Sequence, residues 1–270
     1  MPGVQIAETL RLLWGTVVHR PYVWAFFACF VAFALRQLGL RRTLTFAVAT
    51  WVIAFASEYS STRNGFPFGR YAYFDATRAR ELWISNVPFW DSLSFVFLSY
   101  FSFVLAAAIR SPPGALGETP WPGMRDRSTP LLGGLLMMLL DVVIDPVTLQ
   151  GEKWFLGRIY DYPGDGFWFG VTAANFAGWF AVGVASQWLF QRCLERVPWC
   201  RGRWPPPAPR LAWAAFATYA GVLAFMLAVT IAIGDLPLAL ASGAVSAATL
   251  AAIAWSLPPS RGSAAAEARA

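Results

Sequence analysis

The chain has 270 residues, of which 57% are hydrophobic and only 13% charged, and its mean hydropathy is +0.49. A soluble globular domain carries about 25% charged residues because water must wet its surface. Half that share excludes an ordinary soluble fold and a disordered chain, and three cysteines are too few for a disulfide-stapled scaffold. The net charge of +6 lies in short arginine clusters between apolar runs, where it orients spans and meets anionic headgroups. The partner this implies is the lipid bilayer, with no nucleic-acid footprint.

In chain order, residues 1–20 place Ile6, Leu10, Leu13, Trp14 and Val17 at helical spacing but interrupt them with Glu8, Arg11, His19 and Arg20. That pattern predicts an amphipathic helix at the membrane interface and not a signal peptide. A span needs about 20 mostly apolar residues, and segments 21–40, 43–60, 87–110, 130–150, 167–191, 211–233 and 236–257 qualify. The expected fold is all-α: a polytopic membrane bundle of about seven transmembrane helices after a short interfacial helix. It forms one domain over 1–260, followed by a flexible tail at 261–270. The Pro-rich stretch 203–210 reads as a linker, and Gly234, Asp235 and Pro237 as the tightest turn. Cys29, Cys193 and Cys200 lack metal-ligand spacing and read as free thiols.

Alternating the loops places Arg11, Arg20, Arg63, Arg70, Arg78, Arg80, Lys153 and Arg158 on the N-terminal side, and the remaining thirteen of the 21 basic residues on the other. The richer side, which holds the C-terminus, is expected to be cytoplasmic in a cell-membrane protein.

The informative residues are polar ones that an apolar pattern does not want. Glu58 ends the second span, Asp91 begins the third, Asp141 and Asp145 lie in the last turns of the fourth, and Thr172 and Asn175 near the start of the fifth. All fall on one membrane side. At 1.5 Å per residue, Asp141 lies about 13 Å in from residue 150 and Asn175 about 12 Å in from residue 167. Asp141 and Asp145 share a helix face, as do Thr172, Asn175 and Trp179. Carboxylates at such depth cost several kcal/mol unless paired, hydrated or protonated, which makes them functional candidates. Structural roles compete. Asp145 precedes Pro146 and can serve backbone groups freed by that proline or pair with Arg158, while Glu58 and Asp91 can pair with Arg63 or Arg70. His19 reads as an interface residue.

The loop EYSSTRNGFPFGRYAYFD at 58–75 is rich in rings. It reads as a lid over an intramembrane cavity, with the rings of Tyr71 and Tyr73 inward and their hydroxyls toward water. Phe66 and Phe68 read as an aromatic belt. A similar segment, GFWFG at 166–170, opens the fifth span.

Glu58, FGRYAY at 68–73, DVVIDP at 141–146, GFWFGV at 166–171 and NFAGW at 175–179 together resemble the integral-membrane carotenoid hydratases. These include bisanhydrobacterioruberin hydratases and gamma-carotene hydroxylases that act by hydration. The resemblance runs over about residues 20–190. This chain departs from it at Asn86-Val87-Pro88, where Gly-Val-Pro is expected, and at Thr172, where proline is.

The resemblance implies addition of water to the terminal double bond of an acyclic carotenoid end group, giving a tertiary alcohol. Alkene hydration needs an acid, surroundings that tolerate a carbocation, and a base for water; a carboxylic acid in an apolar site keeps its proton. In this reading Asp141 is the donor, Asp145 orients or deprotonates water, Glu58 relays protons from the interface, and Asn175 fixes water or acid by hydrogen bonding. Donor and base roles are exchangeable. Tyr71, Tyr73, Trp168 and Trp179 supply ring faces near the cation, with Thr172 beside them. The scheme requires no cofactor and no metal, and other enzymes of the carotenoid pathway are its expected protein partners.

Two rivals use the same residues differently. A membrane prenyltransferase would hold magnesium diphosphate on Asp141 and Asp145 and on Asp161 and Asp165, although Pro163 and Gly164 make the second pair a turn. A transporter or lipid-binding protein would line a pathway with the polar groups, but the paired interrupted helices of many transporters are not evident.

Overall fold

A computed structural model describes residues 2–164 and 166–258, with side chains from Ile6 onward; Asp165 and the expected tail at 261–270 lie outside the described residues. Among those described, eight α-helices form the fold: α1 (Pro2–His19), α2 (Pro21–Leu38), α3 (Leu40–Asn64), α4 (Phe89–Ile109), α5 (Thr129–Thr148), α6 (Ala173–Arg196), α7 (Leu211–Ile233) and α8 (Leu236–Ser256). Five of them, α2, α4, α5, α7 and α8, are long and apolar enough to cross a membrane. The other two expected spans form as helices α3 and α6 within the same bundle, but they carry more polar groups. Arg41, Arg42, Glu58 and Arg63 interrupt α3, and Gln187, Gln191, Arg192 and Arg196 interrupt α6.

The bundle is built around α4. It is 83% buried, against 28% for α2, α7 and α8, and every residue from Phe95 to Ala108 is buried. A helix apolar all round finds its minimum when other helices surround it. Helices α5 and α6 approach each other through small residues: a Cβ on Gly134 would stand 2.6 Å from Val184 Cγ2, and one on Gly183 3.0 Å from Gly134 Cα. Such close backbones gain packing where lipid tails offer no hydrophobic advantage. Helix α1 leaves Ile6, Leu10, Leu13 and Trp14 exposed along one face, the stripe expected of a helix lying on an apolar surface.

The 203–210 stretch is pinned to the bundle and is no free linker. The Arg42 guanidinium donates to the carbonyls of Leu38 (2.9 Å), Cys200 (2.9 Å) and Gly202 (2.7 Å) and lies 4.0 Å over the Trp204 ring. At the α7–α8 turn Gly234 has φ 80°, and Asp235 caps α8 through the Leu238 N–H at 3.0 Å. The three cysteines are unpaired.

At the opposite end of the bundle from Arg42, two loops form short antiparallel ribbons. Strand β1 (Ala72–Tyr73) pairs with β4 (Tyr160–Asp161), Ala72 opposite Asp161 and Tyr73 opposite Tyr160, and the hairpin β2 (Trp83–Ile84) and β3 (Val87–Pro88) leads into α4. The fifth span was expected from residue 167, yet α6 starts at Ala173. Residues 166–172 turn instead, with Gly170 at φ 89° and Gly166 against the backbone of Gly170 and Val171 so closely that no Cβ fits.

Candidate active site

Pro146 lies inside α5. Lacking an N–H, it leaves the Val142 carbonyl without its helical donor, and the indole N–H of Trp168 supplies the missing bond at 3.0 Å. Asp145 therefore is not occupied with the freed backbone, nor does it meet Arg158, which pairs with Asp161. Asp141 and Asp145, four apart on this helix, turn the same face inward and are both buried.

Asn175 meets them from the first turn of α6. Its amide nitrogen donates to Asp141 Oδ2 at 2.6 Å and Asp145 Oδ2 at 3.0 Å. The two polar faces expected to meet do meet, although Asn175 reaches its partners because the 166–172 turn lowers the start of α6, and not from depth within a span. Thr172 is the N-cap of this helix, accepting from the Asn175 N–H at 3.3 Å, and so fixes the backbone that carries the amide.

Asp145 is the more fully bonded carboxylate. Tyr162 donates to its Oδ2 at 2.8 Å, Tyr160 donates to its Oδ1, and Thr148 touches Tyr160. Asp141 Oδ1, in contrast, is buried without a hydrogen-bond partner, and among the described residues no basic side chain pairs with either aspartate. An unpaired buried oxygen costs about 1–3 kcal/mol or more.

Glu58 forms a second polar cluster. Its Oε1 accepts from the Tyr73 hydroxyl at 3.1 Å and its Oε2 from the Ser92 hydroxyl. The expected pairing with Arg63 or Arg70 is not found: Arg63 donates to Tyr59 O and Asn86 Oδ1, and Arg70 to the Arg63 carbonyl. Asp91 pairs instead with Arg20, whose guanidinium also meets Glu81 at 2.8 Å. Burial opposes the Arg20 charge, but Asp91 and Glu81 together outweigh it and hold its pKa above the ordinary value.

Between the clusters stand four tyrosines. Tyr71 and Tyr73 beside β1 and Tyr160 and Tyr162 beside β4 have neighbouring ring centroids 5.3–6.0 Å apart. Alternate residues of an extended strand share a face, so Tyr-x-Tyr on both strands hangs all four rings over the interior. The expected 58–75 loop is shorter than read from the sequence, since α3 continues to Asn64; residues 65–75 pass over the cavity with Phe68, Tyr71 and Tyr73 in its wall, and the Tyr73 hydroxyl points to Glu58 and not to water. Phe68 is not a headgroup belt residue; it is 2% exposed and packs 5.7 Å from Phe95, while Phe66 is 74% exposed. Burial first, and the Glu58 carboxyl second, push the phenols of Tyr71 and Tyr73 well above the usual range; burial and then Asp145 do so for Tyr162. All three remain neutral O–H groups near pH 7.

These groups share one cavity of about 940 Å³ of empty space, its open mouth included. Glu58, Tyr71, Tyr73, Asp141, Asp145, Asn175 and Trp179 line it, together with Arg20, Asp91, Tyr160 and Tyr162, while Trp168 and Thr172, expected beside the substrate, do not. Trp179 is stacked on Phe95 at 4.1 Å. Tyr160 and Tyr162 escaped the reading of the sequence, where YDY at 160–162 repeats the spacing of YAY at 71–73; that repetition was the available signal.

The profile of a protein family described as carotenoid biosynthesis protein matches residues 19–250. The match extends past the motifs of residues 20–190 into α7 and α8, and Val222, Phe225 and Met226 of α7 complete the cavity wall. No curated protein and no solved structure matches the chain.

Proposed function

The chain belongs to the carotenoid biosynthesis protein family, and we propose that within it this protein is a hydratase that adds water to the terminal double bond of an acyclic carotenoid end group. The observation that carries the reading is Asp141 Oδ1: a buried carboxyl oxygen without a partner, in the wall of a largely aromatic cavity, one shared amide away from a second carboxyl group.

The chemistry balances without a redox step. Asp141 gives its proton to the less substituted carbon of the alkene, the π pair forms the C–H bond, and the other carbon becomes a tertiary cation. Water forms the C–O bond, and Asp145 accepts the proton that water loses. With no cation beside them, the two aspartates hold one proton as a unit. Asp145, supplied with donors from Tyr160, Tyr162 and Asn175, suits the carboxylate role, since hydrogen bonds favour the charged form. The proton returns from Asp145 to Asp141 between turnovers by exchange with water in the cavity, while the Asn175 amide, a donor to both carboxyls, holds the pair together.

The cation needs electron-rich surroundings that do not trap it. The rings of Tyr71, Tyr73 and Trp179 are such neighbours, each worth about 0.5–2 kcal/mol to a nearby cation. Glu58, reached through Tyr73, relays protons between the interface and the aspartate pair and so sets its protonation before the cycle begins.

Expression in cells that accumulate lycopene tests this directly. The expected result is a more polar pigment heavier by one water, with Asp141→Asn and Asp145→Asn each lowering its formation by at least about a hundredfold while the protein remains folded in the membrane. No hydrated product from the wild type, or near-normal product from both variants, defeats the proposal.

A further inference from the structure

The cavity that holds Asp141 is also lined by Tyr22 and Phe26 of α2 and by Phe225 of α7. All three are half-buried: they line the cavity on two helices whose other exposed residues are apolar apart from Arg36 in the last turn of α2. Their rings form one cluster, Tyr22 stacked on Phe225 at 5.0 Å and Phe26 at 6.4 Å from Phe225. Phe155, from the loop after α5, rests on it at 5.4 Å from Tyr22 and is 51% exposed. Opposite Phe26, α7 has a glycine: a Cβ on Gly221 would meet nothing nearer than Phe26 Cε1 at 3.8 Å.

We propose that the seam between α2 and α7 is a lateral aperture to the bilayer, through which the hydrocarbon chain of the substrate lies threaded while its end group reacts at Asp141, with Phe155 as its cap. This rests on the hydratase reading above. A conjugated polyene is rigid and cannot coil inside the cavity, so a chain whose end reaches Asp141 must pass on through the wall. The seam is where the wall consists of ring faces, matching a flat π-chain, and where the outside is lipid and not water. The polar part of the cavity wall at Arg20 and Asp91 would instead set the chain against charged groups.

Gly221→Trp is chosen to fill the seam without touching the aspartate pair. Two substrates are compared in detergent: a full-length acyclic carotenoid, and a short acyclic isoprenoid with the same end group that fits wholly within the cavity. The expected result is at least a tenfold loss of kcat/KM for the long substrate and less than a twofold change for the short one, the latter also reporting an intact fold. Equal effects on both, or none, overturn the aperture while leaving hydration in place. If wild type turns over neither substrate, the hydratase reading itself fails and takes this inference with it. Should Gly221→Trp not fold, Tyr22→Cys/Phe225→Cys, in a background lacking the three native cysteines, is joined by a reducible thiol cross-linker. Loss of long-substrate turnover on joining, restored by reductant, supports the aperture, and indifference to joining refutes it.

Discussion

The indole nitrogen of Trp168 donates to the carbonyl oxygen of Val142 at 3.0 Å, replacing the helical bond that Pro146 cannot make. This contact lies between the two aspartates in sequence and ties the 166–172 turn to α5. Trp168→Phe keeps most of the packing and leaves the buried carbonyl orphaned, at a cost of about 1–3 kcal/mol. The midpoint of thermal unfolding in detergent is expected to fall, and turnover with it, because the local path of α5 sets the separation of Asp141 and Asp145. An unchanged midpoint would show that the carbonyl finds another donor.

The bundle and half of its site were legible because a bilayer makes polarity conspicuous. Asp141, Asp145 and Glu58 stand out in runs where charge is costly, and five of the helices follow from apolar length alone. What could not be read was long-range pairing. Nothing local in YDY at 160–162 says that it will lie beside YAY at 71–73, and tyrosines in a membrane-protein loop are as well explained by an interfacial belt. Partner choice is hidden for the same reason: by sequence Arg20 is one polar residue of an interfacial helix, while the fold buries it between Glu81 and Asp91, 61 and 71 residues away. Asn175 was found by a spacing argument whose premise, a span beginning at 167, does not hold. Its contact with Asp141 survives because a helix that starts six residues later keeps the spacing that puts Thr172, Asn175 and Trp179 on one face.

The tyrosine lid makes a prediction about alkali. Tyr71 and Tyr162 are buried and Tyr73 half-buried, and all three are neutral in the fold, with pKa values held above the ordinary phenol value. When the folded pKa is the higher one, stability is fully present below the unfolded value of about 10 and is lost as pH rises beyond it. The phenols' contribution to unfolding free energy in detergent should therefore be level up to about pH 10 and then fall by about 1.4 kcal/mol per pH unit for each such phenol. Tyr71→Phe should remove one phenol's share of that slope. A slope that Tyr71→Phe does not alter would mean that Tyr71 is hydrated in solution.

Topology follows from charge. With thirteen basic residues on the C-terminal side and eight on the other, the cavity end of the bundle should face away from the cytoplasm. Reporter fusions after residue 80 and at residue 258 are expected to be inactive and active, respectively, for a cytoplasmic reporter. Cytoplasmic activity at residue 80 would invert the orientation and place the water supply of Glu58 on the inner side.

Hydration and oxygenation both yield an alcohol, and the source of the oxygen separates them. The proposed cycle uses a proton from Asp141, a water held by Asp145, and rings that tolerate a cation; every atom added to the substrate comes from water. The single histidine of the chain gives no basis for the histidine-rich di-iron centre on which many membrane hydroxylases depend. Turnover without air, in water enriched with heavy oxygen and with a chelator present, should therefore give product carrying the solvent label at an undiminished rate. The same reaction in heavy-hydrogen water should place one deuterium on the carbon next to the new alcohol, because the donated proton exchanges with solvent through the aspartate pair. Product oxygen drawn from air, or activity abolished by the chelator, would remove the acid–base cycle and leave Asp141 and Asp145 to be explained as ligands.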